Sequence, residues 1–149
     1  KNTAISLYRQ MARILAIDYG FKRVGLAVTD PLQMIASALE TVHSKDLITF
    51  LEKYLLSEEV EAFVVGMPKN LNNQDTNTTQ AVENLVKNLK KKFPNKAVYT
   101  IDERFTSKIA LDAMIQAGSK KKDRHNKSGN LDKVSATIIL QDFLNSRTK

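Results

Sequence analysis

The chain has 149 residues, no cysteine and a formal net charge of +7. One domain of this size buries about 68–70% of its unfolded surface, so it can build a core without disulfides; thiolate metal sites are excluded, and His43 and His125 lack zinc-ligand spacing. No apolar stretch is long enough to span a bilayer, and residues 1–10 lack the apolar centre of a signal peptide, so a soluble, cytoplasmic protein is expected.

Met11-Ala12-Arg13 has the look of a natural start. Residues 1–11 are therefore expected to be a poorly ordered leader or N-terminal extension, and 12–149 a single domain. Residues 13–19 read as a buried strand, because Ile14-Leu15-Ala16-Ile17 is a continuous apolar run of strand length. Residues 22–29 follow after a short turn at Tyr19-Gly20-Phe21 and suggest a hairpin. Asp30-Pro31 breaks the pattern, and a third strand is expected from Ser37 to His43. Ser44 offers an N-cap for a helix over 45–57, where Leu47, Phe50, Leu51, Tyr54 and Leu55 recur at helical spacing. Glu61 to Gly66 is a short buried strand.

Asn77 with Gln80 resembles a capping box ahead of the stripe Val82, Leu85, Val86 and Leu89, and Phe93-Pro94-Asn95 ends that helix. Residues 97–102 form the next strand. Ile109, Ala110, Ala113, Met114 and Ala117 mark a helix closed by Gly118, and Ser119 to Gly129 carries no apolar residue and reads as a solvated loop. Asn130 can cap a final helix. Short connections early and helical crossovers later predict an α/β sheet that begins antiparallel and continues parallel.

Three elements carry acids where a site could form. Asp18 ends the first buried strand, and a buried carboxylate needs a partner, a hydrogen bond or a metal. Asp102-Glu103 ends the strand at 97–102. Neighbours along a strand face opposite ways, so only one of the two can share a site with Asp18, and a strand apolar on both faces does not say which. Asp132 opens the last helix, on a stripe continued by Ala136, Ile139 and Phe143. Each acid also has a plainer role: a turn cap for Asp18, a surface pair with Arg104 for the strand-end acid, and compensation of the helix dipole for Asp132. Together they suggest a carboxylate site for a hard cation, Mg²⁺ or Mn²⁺.

The positive charge is concentrated. Lys120, Lys121, Lys122, Arg124 and Lys127 outnumber Asp123 in eight residues just before Asp132, more than half of the net excess. Such a run is commonly a solvated surface, yet here it adjoins the acids and could neutralise the phosphates of a polyanion. Lys22 and Arg23 add to that surface. No aromatic motif offers a stacking platform for bases.

Asp18-Tyr19-Gly20-Phe21-Lys22-Arg23-Val24-Gly25-Leu26-Ala27 closely resembles the opening motif of the YqgF family. Gly66-Met67-Pro68 resembles its central turn, Asp102-Glu103-Arg104-Phe105-Thr106-Ser107 its second acidic motif, and Leu131-Asp132-Lys133-Val134-Ser135-Ala136 its C-terminal motif. The match runs in order from residue 12 to 145. It departs at Lys69-Asn70-Leu71-Asn72-Asn73-Gln74, where the family is richer in glycine, and at Ser135, where alanine is common.

The resemblance implies a ribonuclease H-like fold, a mixed five-stranded sheet of three antiparallel then two parallel strands flanked by helices. It implies catalytic, metal-binding acids at Asp18, Glu103 and Asp132, choosing Glu103 over Asp102, and nucleic-acid contacts from Lys22, Arg23, Arg104 and the basic loop. The implied activity is metal-dependent endonucleolytic processing of the 5′ end of pre-16S rRNA. The alternatives are a Holliday junction resolvase, which needs a homodimer for paired cuts, and a non-catalytic nucleic-acid-binding module. An actin-like phosphotransferase would need a second Gly-rich phosphate loop and a longer chain, and five glycines in 149 residues argue against it.

Overall fold

The structure, a computed structural model, describes residues 12–68, 76–102 and 128–147; for Thr76 and for residues 128–132 it describes the helix backbone alone. Five strands form one sheet in the order β3-β2-β1-β4-β5. They are β1 (Arg13–Tyr19), β2 (Arg23–Thr29), β3 (Ala36–His43), β4 (Val60–Met67) and β5 (Ala97–Asp102). β1 pairs antiparallel with β2, and β2 antiparallel with β3, while β1–β4 and β4–β5 are parallel. This is the expected arrangement of three antiparallel strands followed by two parallel ones.

Among the described residues three α-helices cover the sheet: α1 (Leu47–Ser57), α2 (Thr76–Lys92) and α3 (Ser128–Arg147). The strand alternation divides the core in two. Leu15, Ile17, Val24, Leu26, Phe63 and Val65 point to one face and pack with Leu47 and Leu51 of α1 and Val82, Leu85 and Leu89 of α2. Ile14, Ala16, Ala27 and Val64 point to the other and pack with Ala136, Ile139, Leu140 and Leu144 of α3. The central strands β1 and β4 are buried on both faces, which is why they read as continuous apolar runs. The small residues Ala16 and Ala27 lie under α3 and let it approach the sheet.

Helix starts were less legible than helix stripes. Ser44 does not cap α1. It opens a 3₁₀ turn over Ser44–Asp46, capped instead by the His43 side chain, which accepts from the Lys45 N–H at 3.1 Å, and α1 begins at Leu47. Asn77 and Gln80 form no capping box, because α2 has already started at Thr76; Gln80 Nε2 donates to Asn84 Oδ1 at 3.1 Å. Asn130 lies within α3, which starts at Ser128, so it is not the cap either, and Ser128 and Gly129, expected in the loop, are helical. Residues 1–11, the helix expected over 105–117 and the basic run 120–127 lie outside the described residues.

The direction of α3 follows from its far end. Arg147 Nη1 donates to Gln33 Oε1 at 3.3 Å, and Gln33 Nε2 donates to the Ala12 carbonyl at 2.8 Å. Gln33 belongs to the β2–β3 turn, which Asp30 ties by accepting the Met34 and Ile35 N–H groups, both at 2.8 Å. That turn is at the N-terminal end of β1, because β1 and β2 run antiparallel. A 20-residue helix is about 30 Å long, so α3 starts toward the opposite end, where β1 reaches Asp18. Among the described residues no helix is long and apolar enough to cross a membrane.

Candidate active site

Asp18 is the sixth residue of β1 and half-buried. Strand parity puts it with Ile14 and Ala16, on the face covered by α3. Its cross-strand partner on β2 is Gly25. On the other side, one step beyond the Ile17–Val65 pair, β4 offers Gly66. Gly25 and Gly66 share the Asp18 face, since their strand neighbours two residues away, Ala27 and Val64, pack against α3. Neither has a side chain. Neither neighbouring strand therefore places a side chain directly beside the carboxylate on that face.

β5 decides the ambiguity of the second acidic pair. Val98 packs with the α1/α2 core, whereas Ile101 packs with the α3 core and Tyr99 stacks obliquely on Phe143 of α3, ring centroids 5.2 Å apart. Asp102, paired with Met67, falls on the Val98 side, opposite to Asp18. Asp102 is thus not the partner of Asp18 across the sheet. Glu103 and Arg104 lie outside the described residues. Asp132 is in the second turn of α3, four residues before Ala136, which is fully buried against the sheet, as is Ile139 three residues further. The expected stripe therefore does face the core, and the α3 end that carries Asp132 is the end nearest the C-terminus of β1. The Asp132 side chain is outside the described residues. Among the described residues no three His, Asp or Glu side chains gather as a metal site, and of the three expected ligands only Asp18 has its side chain described.

The turn that follows Asp18 is fastened. Ser44 N–H donates to the Lys22 carbonyl at 3.0 Å, and Ser44 Oγ donates to the Phe21 carbonyl. The residue read from sequence as a helix cap thus holds the turn beside Asp18, across 23 positions of chain. Phe21, Lys22 and Arg23 all face solvent, Phe21 with 58% of its surface exposed. Gly20 is needed for contact rather than for unusual backbone angles: a Cβ there would stand 2.7 Å from the Arg23 carbonyl oxygen. We expect Gly20→Ala to lower stability by about 1–3 kcal/mol, the cost of overpacking against atoms that cannot swing aside. Urea unfolding measures it, and a loss within a few tenths of a kcal/mol would mean that the turn yields freely.

Sequence reasoning missed a cleft on the other face of this end of the sheet. It has a volume of about 290 Å³ and is lined by Tyr19, Ser44, Leu47 and Ile48 together with Asn84 and Asn88 of α2. The signal was present only as two asparagines four apart on a helix, unremarkable without the fold.

Comparison with known proteins gives the family and the fold. A family model described as RuvX, Holliday junction resolvase, matches residues 12–146. A protein of Amoebophilus asiaticus named "Putative pre-16S rRNA nuclease" is 54% identical over 136 residues, 91% of this chain and 96% of its own length. One of the same name from Bacteroides thetaiotaomicron is 49% identical over 137 residues, 92% of this chain and 99% of its own length. Among solved structures, T. thermophilus RuvC in complex with Holliday junction substrate superposes with a TM-score of 0.55 at 18% identity, covering 92% of this chain and 96% of that one, a likeness of fold. The fold is ribonuclease H-like, and the chain, matched from residue 12 to 146 and half identical to relatives of nearly the same extent, belongs to the RuvX family, the YqgF family of the sequence motifs.

Proposed function

We propose that this chain is a divalent-metal-dependent endonuclease that hydrolyses phosphodiester bonds in structured RNA, with the 5′ end of the small-subunit ribosomal RNA precursor as its substrate. The observation that carries the reading is the combination of near-full-length relatives bearing that name with a strand-end carboxylate, Asp18, standing between Gly25 and Gly66 on the face covered by α3. Glycine on both neighbouring strands favours close approach of a phosphodiester to Asp18.

In this reading Asp18, Glu103 and Asp132 hold Mg²⁺ or Mn²⁺. The donor chemistry fits: carboxylate oxygens suit hard cations, and the sequence has no thiolate to favour a softer one. When bound, such an ion supplies Lewis acidity at the phosphoryl oxygens and lowers the pKa of coordinated water. Asp18 orients the reacting phosphate from the centre of the sheet. Asp102, on the opposite face, takes no part, which leaves Glu103 as the candidate of that pair. Lys22 and Arg23, exposed on the fastened turn, neutralise flanking phosphates, with Arg104, Lys120, Lys121, Lys122, Arg124 and Lys127 assigned the same role. Such contacts give affinity that falls steeply with salt and depends little on sequence.

The decisive assay is incubation with precursor rRNA with and without Mn²⁺, mapping product ends. The expected result is metal-dependent cleavage at the 5′ side of the mature RNA, abolished by chelation. Cleavage indifferent to chelator would refute the metal assignment. A second reading, resolution of four-way DNA junctions, is favoured by the family description and the RuvC-like fold. It requires a homodimer that sets two cuts. Side-by-side assays on both substrates, with the mass in solution measured by light scattering, separate the two readings.

A further inference from the structure

The fastened turn and the cleft behind it form one continuous surface. Ser44 belongs to both: it lines the cleft, and it holds the Phe21 and Lys22 carbonyls. Tyr19 also lines the cleft, and it directly follows Asp18 while pointing to the opposite face of the sheet. Phe21 is three residues from Asp18, at most about 10 Å along an extended backbone. An exposed aromatic ring is a poor choice for a solvated turn unless something covers it, and this one is flanked by Lys22 and Arg23 on backbone held by two hydrogen bonds.

The cleft itself has the chemistry of a base-reading site. Leu47 and Ile48 give it an apolar wall, Tyr19 an aromatic one, and Asn84 and Asn88 present side-chain amides along its α2 side. Asn84 Oδ1 accepts from Gln80 Nε2, and the same amide carries a nitrogen donor. A donor of this kind suits the acceptor atoms of an unpaired base, whose edges are accessible only when it is out of a helix. The Lys22 cation, the exposed Phe21 ring and the amide groups of a neighbouring cleft of about 290 Å³ fit single-stranded nucleic acid, which offers phosphate charge, base faces and base edges together.

We infer that the Phe21 turn and the Tyr19–Asn84–Asn88 cleft are a subsite for an unpaired nucleotide flanking the scissile phosphate. The substrate strand crosses the end of the sheet. One phosphate lies at Asp18 on the α3 face, the next base stacks on Phe21, and a neighbouring base enters the cleft on the α1/α2 face. This subsite would make the enzyme choose junctions between paired and unpaired nucleic acid over uniform duplex. It rests on the nuclease reading and gives it a substrate feature.

The test uses the cleavage-silent Asp18→Asn chain and two RNA hairpin probes in Mg²⁺, one with a single-stranded 5′ flank and one blunt, followed by fluorescence anisotropy. Adding Phe21→Ala should weaken the flanked probe about 5- to 150-fold, the range for loss of one stacked base, and the blunt probe less than about 2-fold. Phe21→Trp should restore affinity. Asn84→Leu and Asn88→Leu should weaken the flanked probe and change which base is preferred in the flank. Equal losses on both probes, or no loss from Phe21→Ala, would overturn the subsite while leaving the nuclease reading standing. Failure of the silent chain to bind either probe would remove the nuclease reading, and this inference with it.

Discussion

Asp18→Asn is expected to reduce single-turnover cleavage by roughly 10³-fold or more, the scale on which loss of one group that stabilises developing charge is felt, while substrate affinity stays the same or rises. The amide keeps the shape of the carboxylate and one acceptor oxygen, so the packing at the end of β1 is preserved. What it loses is the negative charge that, in the proposed reading, binds a hard cation. Removing that charge also removes repulsion toward the phosphate, which is why affinity should not fall. Cleavage assays with saturating enzyme, paired with anisotropy binding and a thermal melt, separate the three quantities. Retained cleavage by the purified variant would reject the assignment of Asp18. A parallel fall in affinity and melting temperature would mean that the residue acts on the fold instead.

The largest stability effect is expected at Phe63. It is fully buried on β4, with Leu15 and Val98 beside it on the neighbouring strands, and its ring lies 5.5 Å from that of Phe93 at a tilt of 53°. The tilted pair anchors the segment after α2 to the middle of the sheet. Phe63→Ala leaves a cavity that β-strands on both sides cannot close, and should cost about 3–5 kcal/mol. Against a total of about 5–15 kcal/mol for a domain, that is about a fifth of the stability or more. The melting temperature should drop by roughly 6–20 °C, at about 2–4 °C per kcal/mol for a chain near this size. Urea unfolding gives the free energy directly, and a loss below about 1 kcal/mol would show that the α1/α2 core is loosely packed.

The two predictions differ in how visible they were in the sequence. Phe63 sits in a run, Phe63-Val64-Val65, whose burial could be read from composition alone. The same continuity gave β1 with both of its bounds, Arg13 and Tyr19, and the helical stripes of α1 and α2 named the residues that pack, Leu47, Leu51, Val82, Leu85 and Leu89. Capping was misread three times, at Ser44, Asn77 and Asn130, for one reason: a short polar side chain has several possible partners, and local sequence does not rank them. Ser44 is the informative case. Its hydroxyl serves a carbonyl 23 residues earlier in the chain, on the turn beside Asp18.

The amino-acid order by itself determined the five strands, their antiparallel-then-parallel sequence, the family motifs and the acids worth suspecting, because those depend on apolar runs, connection lengths and residues adjacent in the chain. Only the tertiary structure decided on which faces Asp18 and Asp102 lie: α3, packing Ile139 against the sheet and Phe143 against Tyr99, marks one face of the sheet, and the register of β5 sets Asp102 on the other, opposite to Asp18. A strand apolar on both faces carries no mark of its own orientation, so that information exists only once a helix from far along the chain has covered one of them.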